Sequence, residues 1–139
     1  MEVVTKSAAE TKSLGRKIGS ALKSGTIIAM SGGLGAGKTT FIQGLAEGLG
    51  VKTKIISPTF ILMRTYKRDG KPNFYHVDVY RLEGDVKKEV ENLGLFDVWR
   101  GNNIIAIEWA EKIKELLPKE TMWISFENVS ENERKIVIQ

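Results

Sequence analysis

The 139-residue sequence predicts an α/β fold, with a mostly parallel sheet, helices on both faces and an antiparallel portion. Three observations predict it. Two short apolar runs rich in β-branched residues, at 26–30 and 104–107, suit strands buried on both faces. Each is followed by apolar residues at helical spacing, and two further segments, 60–80 and 122–138, read as hairpins.

Taken in order, residues 3–5 read as a short strand. Ser7 with Glu10 forms a capping box, and Leu14, Ile18, Ala21 and Leu22 give an amphipathic helix over 7–23, ended by Ser24-Gly25. After the strand at 26–30, Phe41, Ile42, Leu45, Ala46 and Leu49 predict a helix closed by Gly50. Pro58 makes 57–60 a loop. Residues 60–66 and 73–80 then pair about an Asp69-Gly70 turn. Alternation in the return strand puts Phe74, His76, Asp78 and Tyr80 on one face and Tyr75, Val77 and Val79 on the other. Asp85 caps a helix bearing Val86, Val90 and Leu93, and Leu95, Phe96, Val98 and Trp99 predict a second short one. The strand at 104–107 ends in Glu108-Trp109. Ile113, Leu116 and Leu117 mark a helix stopped by Pro118, and 122–126 with 135–138 close the chain as a hairpin.

Between the first buried strand and its helix, residues 32–39 read G-G-L-G-A-G-K-T, matching G-x-x-x-x-G-K-[ST], with Thr40 following. Glycines let successive backbone N–H groups turn inward on phosphate oxygens. Lys38 supplies charge to the β- and γ-phosphates, Thr39 is placed to ligate Mg²⁺, and the helix start adds its dipole. The phosphate contacts fall on Gly35, Ala36, Gly37, Lys38, Thr39 and Thr40. The sheet is therefore that of a P-loop NTPase, and the chain is expected to bind a nucleoside triphosphate with magnesium.

Composition narrows the remaining classes. The length suits one domain over 1–139. No stretch approaches the roughly 18 apolar residues of a membrane span, and the first residues lack a signal-peptide core, so a cytoplasmic protein without a membrane partner is expected. The chain has no cysteine, which excludes disulfides, thiolate metal sites and cysteine catalysis. A formal charge of +4 without a dense Lys/Arg block permits a nucleic-acid surface but does not require one.

A P-loop nucleotidase needs a carboxylate near the metal and a group to orient water. Glu108 ends the more apolar strand and is the candidate closest to the metal, directly or through water. Asp78 is the candidate for orienting water or acting just outside the metal's own ligands. Lys38, Asp78 and Glu108 are thus the catalytic candidates, and Thr39 and Glu108 the metal candidates. His76, between aromatics, reads as a packing residue. Trp109 fits either core packing or a report of nucleotide state, and Thr59 either a switch threonine or simple turn chemistry.

The segments G-G-L-G-A-G-K-T-T-F at 32–41, S-P-T-F at 57–60, H-V-D-V-Y-R-L at 76–82 and I-E-W at 107–109 together resemble the TsaE family, also called YjeE. The resemblance covers nearly the whole chain in the right order. It implies an ATPase that joins the TsaB and TsaD proteins and supports threonylcarbamoyl transfer to adenosine 37 of ANN-decoding tRNAs. It further implies that Lys38, Thr39 and Thr40 hold phosphate and magnesium, that Glu108 is the metal-side acid, that Asp78 is needed for hydrolysis, and that Thr59 and Trp109 lie in switch-like segments. The chain departs from the family pattern at Gly33, where the family usually has Asp, and in a short C-terminal segment from which a nucleotide or partner contact would be missing.

Two other functions use the same loop. A small-molecule kinase would need an acceptor pocket and a lid, for which Arg64, Lys67, Arg68 and Lys71 are the available cations. A nucleotide-gated binding module would exchange nucleotide without useful hydrolysis. No N-K-x-D motif selects guanine, which favours ATP. Arg64, Arg68, Arg81 and Arg100 are scattered along the sequence, so weak hydrolysis by the isolated chain is expected, with transition-state charge completed by partners.

Overall fold

A computed structural model of the chain describes residues 1–33, 35–55 and 62–139. The loop at 57–60, including Thr59, lies outside the described residues. The elements are β1 (Glu2–Thr5), α1 (Ala8–Ala21), β2 (Ile27–Ser31), α2 (Lys38–Gly48), β3 (Met63–Arg68), β4 (Lys71–Asp78), α3 (Val86–Asn92), α4 (Leu95–Arg100), β5 (Ile104–Glu108), a 3-10 helix (Ala110–Leu116), β6 (Met122–Asn128) and β7 (Arg134–Ile138). Among the described residues seven strands form one sheet, ordered β1-β7-β6-β2-β5-β4-β3. Its centre, β6-β2-β5-β4, is parallel, and β1, β7 and β3 are added antiparallel at the edges. No described helix is long and apolar enough to cross a membrane.

Alternation along the central strands divides the core into two layers. On one face Ile28, Met30, Ile104, Ala106, Phe74 and Ile124 pack under α2 and α1. On the other, Ile27, Ala29, Ile105, Ile107 and Val77 pack against α3, α4 and the 3-10 helix through Val90, Leu95 and Ile113. Helices therefore cover both faces, as the two fully apolar strands require.

Local chemistry sets the helix ends. Ser7 caps α1 by accepting from Glu10 N at 3.1 Å, while Glu10 accepts from Lys6 N at 3.0 Å. Gly50, at φ 83°, ends α2 in a Schellman arrangement, with Gly50 N donating to Glu47 O at 3.0 Å and Val51 N to Ala46 O at 2.9 Å. Asp85 caps α3 by accepting from Lys88 N at 3.2 Å.

Three expectations shift. The described part of the first hairpin strand runs 63–68, two residues beyond its expected end. The return strand spans 71–78 rather than 73–80, because Asp78 Oδ1 accepts from Tyr80 N at 2.9 Å and turns the chain out of the sheet. The segment read as a helix from Ile113 onward is a 3-10 helix with Ile113 non-helical at φ −123°. Ile113 and Leu116 lie three apart, a spacing that fits three residues per turn as well as 3.6.

α1 and α2 approach backbone to backbone. Side-chain methyls built at Gly15 and Gly19 would overlap the carbonyl oxygens of Phe41 and Leu45, and at Gly44 and Gly48 those of Lys12 and Arg16. Lys12 and Arg16 close the rim on Glu47 at 3.1 and 2.9 Å, an exposed pairing of small energetic weight. Because α2 begins at Lys38, this contact also fixes where the phosphate loop sits. Gly44→Ala is expected to destabilise the fold by about 1–3 kcal/mol in urea unfolding through overpacking. At an open position with compatible backbone the same change would stabilise by about 0.4–1 kcal/mol, so a gain would show that the two backbones are not in contact.

Candidate nucleotide-binding and catalytic site

β2 delivers the chain into the phosphate loop at the carboxyl edge of the sheet, and Gly37 in the left-handed region at φ 91° turns it into α2. Gly35, Ala36, Gly37, Lys38, Thr39 and Thr40 all line one cleft of about 510 Å³. Parallel register puts Glu108 beside both Met30 of β2 and Asp78 of β4, so the two acids share that edge. The structure thus brings together every residue expected to hold phosphate or metal.

Lys38 is only 5% exposed. Its Nζ donates to Gly32 O at 2.6 Å and lies 3.8 Å from the centre of the Trp109 ring. Burial lowers its pKa from the ordinary lysine value, against the opposing pull of Glu108, Glu111 and Asp78. Asp78 moves the other way. Burial pushes its carboxyl above the usual aspartate range and the Glu108 charge adds to this, while the Tyr80 N–H, His76 and Lys38 oppose it.

Glu108 is buried and its Oε2 lies 2.7 Å from His76 Nε2. His76, expected to be a packing residue, is indeed fully buried, and it packs directly on the acid. Trp109 stacks on Tyr80 with ring centres 4.7 Å apart and adopts φ 60°, the one positive φ among described residues other than glycine. Core packing and a place beside Lys38 are therefore combined in one side chain.

Residues that the sequence did not assign to the site also line the cleft. Ser7, Ala8 and Thr11 at the start of α1 and Glu131, Asn132 and Arg134 around the β6–β7 turn all face the cleft. Arg134 Nη2 donates to Gly35 O at 3.1 Å, and Nη1 reaches the carbonyls of Ser130, Glu131 and Glu133 at 3.0–3.1 Å. The short C-terminal segment thus still supplies a cleft wall. Of the four arginines scattered along the sequence, Arg81 lines the cleft. Arg68, a candidate lid cation, is tied to Leu49 O and Pro72 O at 2.8 and 3.1 Å. At Gly33 an added methyl would meet nothing within 4 Å among the described residues.

No three His, Asp or Glu side chains among the described residues form a self-contained metal site. The hydroxyl of Thr39 and the carboxylate of Glu108 are nevertheless hard oxygen donors of the kind Mg²⁺ takes when substrate phosphates complete its shell.

Residues 5–136 match the family model described as threonylcarbamoyl adenosine biosynthesis protein TsaE. The chain belongs to the TsaE family. It is 41% identical to the tRNA threonylcarbamoyladenosine biosynthesis protein TsaE of Bacillus subtilis over 127 residues, covering 91% of this chain and 77% of that protein. The TsaE of Treponema pallidum is 36% identical over 138 residues, 99% of both chains. The crystal structure of Bacillus subtilis YdiB superposes with a TM-score of 0.81 at 35% identity, covering 99% of this chain and 83% of that one. The family-wide match includes both strand ends that carry the acids and the loop between β2 and α2.

The raised pKa of Asp78 has a stability consequence. Between the ordinary aspartate value of 3.8 and the raised folded value, the folded chain binds more protons than the unfolded one, so stability falls as pH rises through that window. Asp78→Asn is accordingly expected to raise the melting temperature at neutral pH, with the gain shrinking as pH falls toward 4. A variant less stable than the parent at pH 7 would contradict the burial argument.

Proposed function

We propose that this chain is a Mg²⁺-dependent ATPase of tRNA threonylcarbamoyladenosine synthesis, weak alone and activated within an assembly with TsaB and TsaD proteins that acts on tRNA. The observation that carries the proposal is the convergence of Lys38, Thr39, Asp78 and Glu108 on the phosphate-loop cleft. The family to which the chain belongs supports the biosynthetic role.

In this reading the loop N–H groups and the start of α2 take the phosphates, and Lys38 exchanges Gly32 O for phosphate oxygens. Thr39 and Glu108 would hold the cation, which when bound would supply positive charge to the phosphate oxygens. Asp78, already raised above the usual carboxylate range, is suited to orient the attacking water and accept its proton. Arg134 is committed to the carbonyls of its own turn and of Gly35, which fits an enzyme whose transition-state charge is completed by a partner.

ATP hydrolysis by the purified chain, alone and with TsaB, TsaD and tRNA, is the deciding measurement. Stimulation by the partners is expected. Lys38→Ala and Glu108→Ala should each lower the stimulated rate by about two orders of magnitude, as loss of one charge-stabilising group does elsewhere. Tight ATP binding without stimulation would point instead to a nucleotide-gated module, and stimulation by a small hydroxylated acceptor to a kinase.

A further inference from the structure

His76 and Glu108 form a buried pair that the chemistry above does not use. His76 stands two residues before Asp78 on β4, hence on the same face, with Ala106 of β5 as its register partner. Ala106 is small, and the Glu108 side chain reaches the ring beside it, placing Oε2 2.7 Å from Nε2. The imidazole is 0% exposed, so its position is set by the core around it, including the α2-facing layer that holds Phe74 and Ala106.

The hydrogen bond has a direction. His76 Nδ1 is buried with no hydrogen-bond partner among the described residues. The other such atom among the described residues is Nε of Arg64, the cross-strand neighbour of His76 on β3. A guanidinium carries donors only, so it cannot offer an acceptor to an Nδ1–H. A hydrogen on Nδ1 would be a stranded donor in the core, a costly arrangement. A ring hydrogen therefore belongs on Nε2, from which it is donated to Glu108.

We propose that His76 is a positioning residue for the cation site, fixing the Glu108 carboxylate in one orientation by donating Nε2–H to Oε2. The inference rests on the reading of Glu108 as a cation ligand. A flexible glutamate at the end of a strand must surrender side-chain freedom each time it takes a cation, whereas one already held by a buried ring has surrendered it on folding. A histidine that merely filled the core would leave cation affinity unchanged.

The test measures Mn²⁺ affinity of the protein–ADP complex by electron paramagnetic resonance, alongside ADP affinity in EDTA, for His76→Leu, His76→Asn and His76→Gln. A glutamine amide reaches the position of Nε2 and keeps a donor for Glu108, while an asparagine amide falls at the position of Nδ1 and does not. Leu and Asn variants are expected to weaken Mn²⁺ binding about tenfold or more, as loss of a ligand's outer hydrogen bond typically does, with the Gln variant within about threefold of the parent. ADP affinity in EDTA should stay unchanged in all three. The Asn and Gln pair keeps the comparison sharp if the Leu variant folds poorly, because both are polar and differ by one methylene. The proposal is overturned if Asn binds Mn²⁺ as tightly as the parent, if Gln is as weak as Asn, or if the losses appear equally in EDTA. A parent protein that binds ADP but gains nothing from Mn²⁺ would overturn the assignment of Glu108 itself, and one that binds no ADP would overturn the reading of the whole cleft.

Discussion

Because β2, β5 and β4 run parallel, with Met30 and Asp78 both in register with Glu108, the chain must emerge from all three strands at one edge of the sheet. The rest of the site follows from that constraint. Backbone groups inside the sheet are paired with their neighbours, so the edge is where N–H groups, side chains and a helix start are free to meet a ligand. An antiparallel β4 or β5 would have carried its own acid to the far end of the sheet, away from Lys38.

That edge concentrates charge in a poorly solvated place. Lys38 is buried and its pKa is lowered, Asp78 is raised, and Glu108 is covered by the core beneath it. Both shifts oppose the ionised forms, because burial takes each charge out of water. Lys38 meanwhile rests on a carbonyl and an aromatic face, two partners a phosphate can displace. Trp109 contributes the aromatic face at a conformational cost, since a bulky side chain at φ 60° stores roughly 1–3 kcal/mol of backbone strain. Its contacts with Lys38 and Tyr80 offset part of that cost.

The second constraint comes from the far side of the loop. The glycine contacts between α1 and α2 hold the body of α2, from Phe41 to Gly48, against α1, whose own first turn lines the cleft through Ser7, Ala8 and Thr11. Arg134 then ties Gly35 to the β6–β7 turn. The phosphate loop is thereby gripped from the helix behind it and from the hairpin beside it, while the acids approach from β4 and β5.

Sequence alone determined what depends on local spacing. The phosphate loop, the caps at Ser7 and Asp85, the stop at Gly50 and the two apolar strands were legible because their causes act within a few residues. Glu108 was legible as a strand-end acid and Asp78 as an acid within the return strand, and register then showed them to be neighbours. Tertiary structure decided what depends on residues far apart in the chain. The bond between His76 and Glu108 spans 32 positions and that between Arg134 and Gly35 spans 99, separations at which periodicity carries no information about contact. The 3-10 helix after Trp109 and the early end of β4 were likewise decided there, by packing on the sheet and by the side-chain turn at Asp78, which compete with backbone patterns that the sequence leaves open.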